Sequence, residues 1–133
     1  MLIMSCNKIL SIVELGGYPD FTDLYKSKGF QVDTASSMRK AIKIIKNEKP
    51  DIIVAEFNFQ SDFRDRTSSL ESLMATVQGF QDIYVIVFFE IDQRHQLDRL
   101  LAIFDVYAVI PFPVDEHELE QTIEKIIVEN QQC

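Results

Sequence analysis

The chain has 133 residues, 47% of them hydrophobic and 26% charged, with a formal net charge of −8. That length fits one domain burying roughly two-thirds of its unfolded surface, and the composition is that of an ordinary soluble globular protein. The acid excess disfavours non-specific nucleic-acid binding, and no apolar run approaches the ~20 residues of a membrane span. The N-terminus MLIMSCNKIL lacks the charged start and cleavage site of a signal peptide, so the cytoplasm is the expected compartment. Cys6 and Cys133 have no close spacing partner; both are expected to be ordinary reduced thiols, in neither a disulfide framework nor a zinc site.

In chain order, KILSIVEL (8–15) is a short apolar run of strand type closed by Glu14 and the breaker GGYPD. Pro19 and Asp20 suit a helix start, and Phe21, Leu24 and Tyr25 then share a helical face, with Gly29 near its end. FQVDTAS (30–36) reads as a second strand. SMRKAIKIIKNEKP (37–50) places Met38, Ala41, Ile42 and Ile45 at helical spacing, with Ser36 or Ser37 as cap and Pro50 as stop. In PDIIVAEFNF (50–59) the apolar residues Ile52 to Ala55 run straight into Glu56, an acid that is costly there unless solvated or paired.

Beyond that third strand, NFQSDFRDRTSS reads as a long loop and SLESLMATVQGF as a helix with Leu70, Leu73, Met74 and Val77 inward. DIYVIVFFE (82–90) is the strongest strand pattern, nearly all β-branched or aromatic. DQRHQLDRLLAIFD follows as a helix, VYAVIPF (106–112) as the fifth strand, and DEHELEQTIEKIIVEN as a closing helix with Leu119, Ile123, Ile126 and Ile127 along one stripe. Strand and helix alternate five times, with near-continuous apolar strands. The expected fold is therefore α/β: a doubly wound, five-stranded parallel sheet with helices on both faces, as a single domain over 1–133. Sites in this architecture form at the carboxyl ends of strands, where Glu14, Glu56 and Glu90 fall.

Charge is unevenly spread. From Lys26 to Lys49 there are seven basic residues against Asp33 and Glu48, whereas from Pro111 to Cys133 there are six acids and only Lys125. Such asymmetry reflects solvated helix faces or a charged partner surface.

Five alternating units of this length, an acid after strand one, PDIIVAEF at strand three and VYAVIPF at strand five resemble the receiver domain of two-component response regulators, over essentially the whole chain. The resemblance implies flavodoxin-like strand order and a set of site positions. The phosphoacceptor position of a receiver, a nucleophilic aspartate, corresponds to Glu56. The acid pair after strand one, which helps to hold Mg²⁺, corresponds to Glu14 and Leu15. The hydroxyl residue ending strand four falls on Phe88, or on Phe89 with a shift of one. The lysine ending strand five falls on Ile110, or on Phe112 if the register moves to FP. The switch aromatic three residues before that position is Tyr107, expected to be frozen because bulky Phe88 already fills the inward space into which it would swing, or else to be an ordinary core or half-exposed strand aromatic.

No lysine occurs between Lys49 and Lys125, and IYVIVFFEID contains no Ser or Thr, so no alignment restores those groups. Phosphoryl transfer without metal ligands and a cation lacks the electrostatic stabilisation it depends on. The expectation is a degenerate, pseudo-receiver form: a non-catalytic, phosphorylation-independent signalling module acting through protein–protein interaction, with no cofactor, no metal, and no direct contact with nucleic acid or membrane. The alternatives are a phosphorylatable receiver with atypical site residues and a small flavodoxin-like ligand-binding enzyme domain. Two readings of Glu56 stand, as a stand-in for a phosphorylated aspartate or as an acid solvated at the strand mouth.

Partners are expected to be another signalling protein or output domain, or a second copy. In the family the surface of helix four, strand five and helix five often serves, here presenting Arg94, His95, Arg99, Phe112, Glu116, Glu120 and Glu124, a mix that permits self-complementary salt bridges. His95 and His117 are expected at the surface, GGYPD as a plain turn, and Phe57, Phe59, Phe63 and Phe112 as a cluster that extends the core or forms an apolar patch.

Overall fold

The computed structural model describes residues 8–58 and 70–130. Cys6, Phe59, Phe63, Cys133 and most of the expected loop after Asn58 lie outside the described residues. Strands β1 (Lys8–Ile12), β2 (Gln31–Ala35), β3 (Ile52–Glu56), β4 (Tyr84–Phe89) and β5 (Ala108–Pro111) alternate with helices α1 (Thr22–Ser27), α2 (Met38–Asn47), α3 (Leu70–Val77), α4 (Arg94–Leu101) and α5 (Glu116–Glu129). All neighbouring strands run parallel, in the order β2-β1-β3-β4-β5, the flavodoxin-like order. The elements match the expected ones with trimmed ends, and a 3₁₀ turn at Ile91–Gln93 precedes α4.

Alternation along the strands divides the core in two. Ile53 and Ala55 of β3 and Val85, Val87 and Phe89 of β4 join Met38, Ala41 and Ile45 of α2, Leu70 to Val77 of α3, and Leu97 and Leu100 of α4. Ile52, Val54, Ile86, Phe88 and Ile110 face the other way, onto Phe21, Tyr25 and the Leu119–Ile123–Ile126 stripe of α5. A sheet covered on both faces requires strands apolar at every position, which is why β3 and β4 lack polar alternation.

Local signals fix the helix ends. Ser37 caps α2, its hydroxyl accepting from the Lys40 N–H at 3.2 Å, and Asp115 caps α5 by accepting from the His117 N–H at 3.0 Å. After α1, Gly29 takes φ +93°, a left-handed conformation that costs glycine least. Lys28 at the end of α1 then ties that helix to α5, its Nζ lying 2.7 Å from Glu120 and 2.6 Å from Glu124.

Ile53 sits at the centre of β3 with no solvent exposure. Ile53→Ala is expected to cost about 2–5 kcal/mol in urea unfolding, whereas Leu15→Ala, on an exposed loop side chain, should stay within about 0.5 kcal/mol.

Candidate functional site at the carboxyl edge of the sheet

Strand register sets the site. Glu56 is paired with Phe88, and Phe88 with Ile110, so three of the positions singled out in the sequence form one row across β3, β4 and β5. Ile110, the strand-five member of that row, is buried against the α5 layer. The strand-five residue that reaches the mouth is Phe112, two residues further on, with its ring centroid 6.0 Å from that of Phe88 and 5.5 Å from that of Tyr18.

Glu56 is 1% exposed, which rules out one of its two sequence readings, the acid solvated at the strand mouth. Its carboxylate crosses to the β1–α1 loop and is met there by donors. Oε2 accepts from the N–H of Glu14 at 3.1 Å, the N–H of Gly16 at 3.3 Å and the Tyr18 hydroxyl at 2.8 Å. Oε1 accepts from the Leu15 N–H at 3.0 Å and the Asn58 side-chain amide at 3.4 Å. Gly16 and Gly17 have φ of +70° and +85°, and the turn they make lets successive N–H groups converge on one anion, as in backbone nests. Sequence reasoning treated GGYPD as a plain turn and so missed Gly16, Tyr18 and Asn58. The signal was Glu56 itself, since a buried acid obliges neighbouring backbone to donate.

Aromatic rings close the mouth. Tyr18 packs edge-on to Phe88 at 5.2 Å, and Phe21 meets Phe88 at 6.2 Å and Tyr18 at 6.3 Å. Burial and the bond to Glu56 push the Tyr18 phenol well above its usual range, so it remains a donor at all ordinary pH. Beside these rings an open groove of about 370 Å³ runs between Gly16–Pro19, Glu90 and Phe112–Val114.

The second acid is Glu14, half-buried, which accepts from Asn58 at 3.4 Å and from the Met38 backbone N–H at the start of α2. Desolvation and the nearby Glu56 carboxylate raise its pKa. Leu15 contributes only its N–H, its side chain being 71% exposed. Among the described residues no group of three or more His, Cys, Asp or Glu side chains is placed to hold a metal ion.

The remaining candidates lie elsewhere. Tyr107 stands at the opposite end of the sheet, its hydroxyl donating to Glu129 at 2.8 Å and its ring set edge-on to Tyr84 at 5.2 Å. Its hydroxyl therefore meets the end of α5 and lies away from Phe88, because its backbone pairs with Val85 near the start of β4. Burial and the Glu129 bond push its phenol up to about 12.

Glu120 and Glu124 are engaged by Lys28, which holds the Glu120 carboxyl below its usual range. They therefore face the end of α1. Arg94 is paired with Asp98 at 2.9 Å and lies 5.4 Å over the Phe89 ring. His95, Arg99, Glu116 and His117 are exposed.

Glu56→Gln keeps the shape but turns one acceptor oxygen into a donor facing N–H groups. It is expected to cost about 1.5–3 kcal/mol in urea unfolding, the worth of a charge-assisted hydrogen bond. For Glu14, a folded-state pKa raised above 4.5 means that the native state holds the proton more tightly than the unfolded chain. Its ionisation therefore opposes folding as pH rises through that window. Glu14→Gln should be at least as stable as wild type at neutral pH, and the difference should shrink on acidification in pH-dependent melting curves.

No family model matches the sequence, and no curated protein matches it. Solved structures do match in fold. The N-terminal domain of WS1339, an uncharacterized protein from Wolinella succinogenes, is 16% identical at a TM-score of 0.75, over 95% of this chain and 98% of that one. The response regulator receiver domain protein from Clostridium thermocellum is 18% identical at 0.74, over 95% and 98%. The anti-anti-sigma factor PhyR from Bartonella quintana is 16% identical at 0.66, over 97% of this chain and 50% of PhyR. The chain has the fold of a response-regulator receiver domain.

Proposed function

We propose that this chain is a pseudo-receiver: a non-catalytic, phosphorylation-independent signalling module that works in the cytoplasm by binding another protein. The observation that carries this reading is the Glu56 carboxylate, buried and met by five donors from Glu14, Leu15, Gly16, Tyr18 and Asn58. A nucleophile needs a free lone pair aimed at an open approach for the incoming group. Here both oxygens are committed to the loop, and the rings of Tyr18, Phe88 and Phe112 stand over the same end of the sheet.

Electrostatics argue in the same direction. A transferred phosphoryl group brings roughly −1.5 to −2 of charge to a place already holding Glu14 and Glu56. Strand five, AVIP followed by Phe112, carries no cation to meet it. Glu56 acts instead as an internal ligand that holds the β1–α1 loop in one arrangement. A phosphorylated aspartate would need a readout group, and the row offers Phe88 and Ile110. With no switch to throw, the fold's remaining asset is its surface, and one structure that shares the fold is an anti-anti-sigma factor.

The test is intact-mass spectrometry after incubation with acetyl phosphate, with and without Mg²⁺, alongside a melting curve. The expected result is no phosphoryl adduct and no melting shift. An Mg²⁺-dependent adduct would overturn the reading, and its mapped position would identify the acid that carries it.

A further inference from the structure

Five of the 13 Lys and Arg residues of this acidic chain lie between positions 39 and 49. Arg39, Lys40, Lys43, Lys46 and Lys49 are all exposed, and among the described residues none is in an ion pair. By contrast, Lys8 and Lys28 are each shared between two acids. Helix α2, MRKAIKIIKN, buries Met38, Ala41 and Ile45 and contains no acid at all. Its outward side is a cationic stripe about 10 Å long from Arg39 to Lys46, at 1.5 Å per residue.

This arrangement works against the helix that bears it. Arg39 and Lys40 occupy the first turn, where the macrodipole favours acids. Lys40 stands three residues after the Ser37 cap, where a glutamate would complete a capping box. Lys43 has a cation four residues before it, at Arg39, and others three residues to either side, at Lys40 and Lys46, all like-charge neighbours on one surface. Side chains placed against local stability are expected where a surface has another task.

We infer that the outer face of α2 is a docking surface for an acidic segment of a partner protein. The inference rests on the binding-module reading and names the partner's chemistry. Charge complementarity supplies the occupant: acids spaced three and four residues apart on a partner helix would meet Arg39, Lys43 and Lys46 in turn. The half-buried Ile42, between Arg39 and Lys46 on the same face, offers an apolar contact at the centre of that row. Nucleic acid fits less well, because α2 offers no aromatic ring on which a base could stack, and a second copy would have to bring together two whole chains of net charge −8.

The probe is a fluorescein-labelled, glutamate-rich peptide with that spacing, titrated by anisotropy at low salt against the full chain. A single-stranded oligothymidine of matched charge and sedimentation of the protein alone run in parallel. Saturable peptide binding is expected that weakens as salt rises and falls about tenfold or more in Lys40→Glu/Lys43→Glu. It should be unchanged in Lys26→Glu/Lys125→Glu, which makes the same change in net charge. The α2 variant should melt at or above the wild-type temperature, so stability and binding move in opposite directions.

Absence of saturable binding, equal binding by the α2 variant, tighter binding to the oligonucleotide, or self-association abolished by Lys40→Glu/Lys43→Glu would each overturn the inference. A phosphoryl adduct in the acetyl phosphate experiment would sink the pseudo-receiver reading independently of the peptide titration. Failure of the titration without an adduct would remove only the α2 surface.

Discussion

A carboxylate buried at the end of a central strand has to be met by donors, and that requirement organises one whole edge of this molecule. Glu56 is 1% exposed, and an unpaired acid at such a place would cost several kcal/mol. The donors come from Glu14, Leu15 and Gly16, which fixes the path of the chain leaving β1. Gly16 and Gly17 make the turn possible by adopting positive φ. Tyr18 follows directly from that turn, and its hydroxyl closes the shell while its ring covers Phe88. Removing the acid would leave this edge with converging N–H groups and nothing to receive them.

The same chain handles its other charges in two distinct ways. Lys8 and Lys28 are bound by two acids each and act as ties, the first between β1, β2 and the end of α2, the second between α1 and α5. Such exposed pairs contribute modestly to stability, but they account for acids that would otherwise belong to a free surface. The cations of α2 have no such partners among the described residues. Glu14 links the two regions: its carboxylate accepts from the first N–H of α2 while its own N–H donates to Glu56. The start of the cationic helix is thus held by the loop that the buried acid organises.

The succession of strands and helices, the helix faces and the position of Glu56 were legible in the sequence because each rests on local periodicity, whereas the strand order came only from the resemblance to receiver domains. IIVAE and YVIVFF are apolar at nearly every residue, as a sheet covered on both faces requires. Ser37, Asp115 and Gly29 act at the ends they mark. What was not legible is side-chain reach. An acid at the end of β3 can point to water or fold back, and only the path of Gly16–Gly17 decides it. Tyr107 illustrates the same limit from the other side, since a strand aromatic takes its partner from whichever helix end lies nearest, here Glu129 of α5. Glu120 and Glu124 lie on α5 at a helical spacing that sequence gives correctly, but Lys28, 96 residues from Glu124, settles which way they face.

Why a glutamate stands here follows from the length of one methylene. The donors lie on the neighbouring strand's loop, and Glu carries its carboxylate further across than Asp would. The nest that receives it is a general anion site, equally suited in its geometry to a phosphate or an external carboxylate. A ligand tethered on the adjacent strand competes at an effective concentration that free ions do not readily match. The nest is therefore filled by the chain itself. On the proposed reading a partner has to engage an outer face, and among the described elements α2 carries the largest unmatched charge.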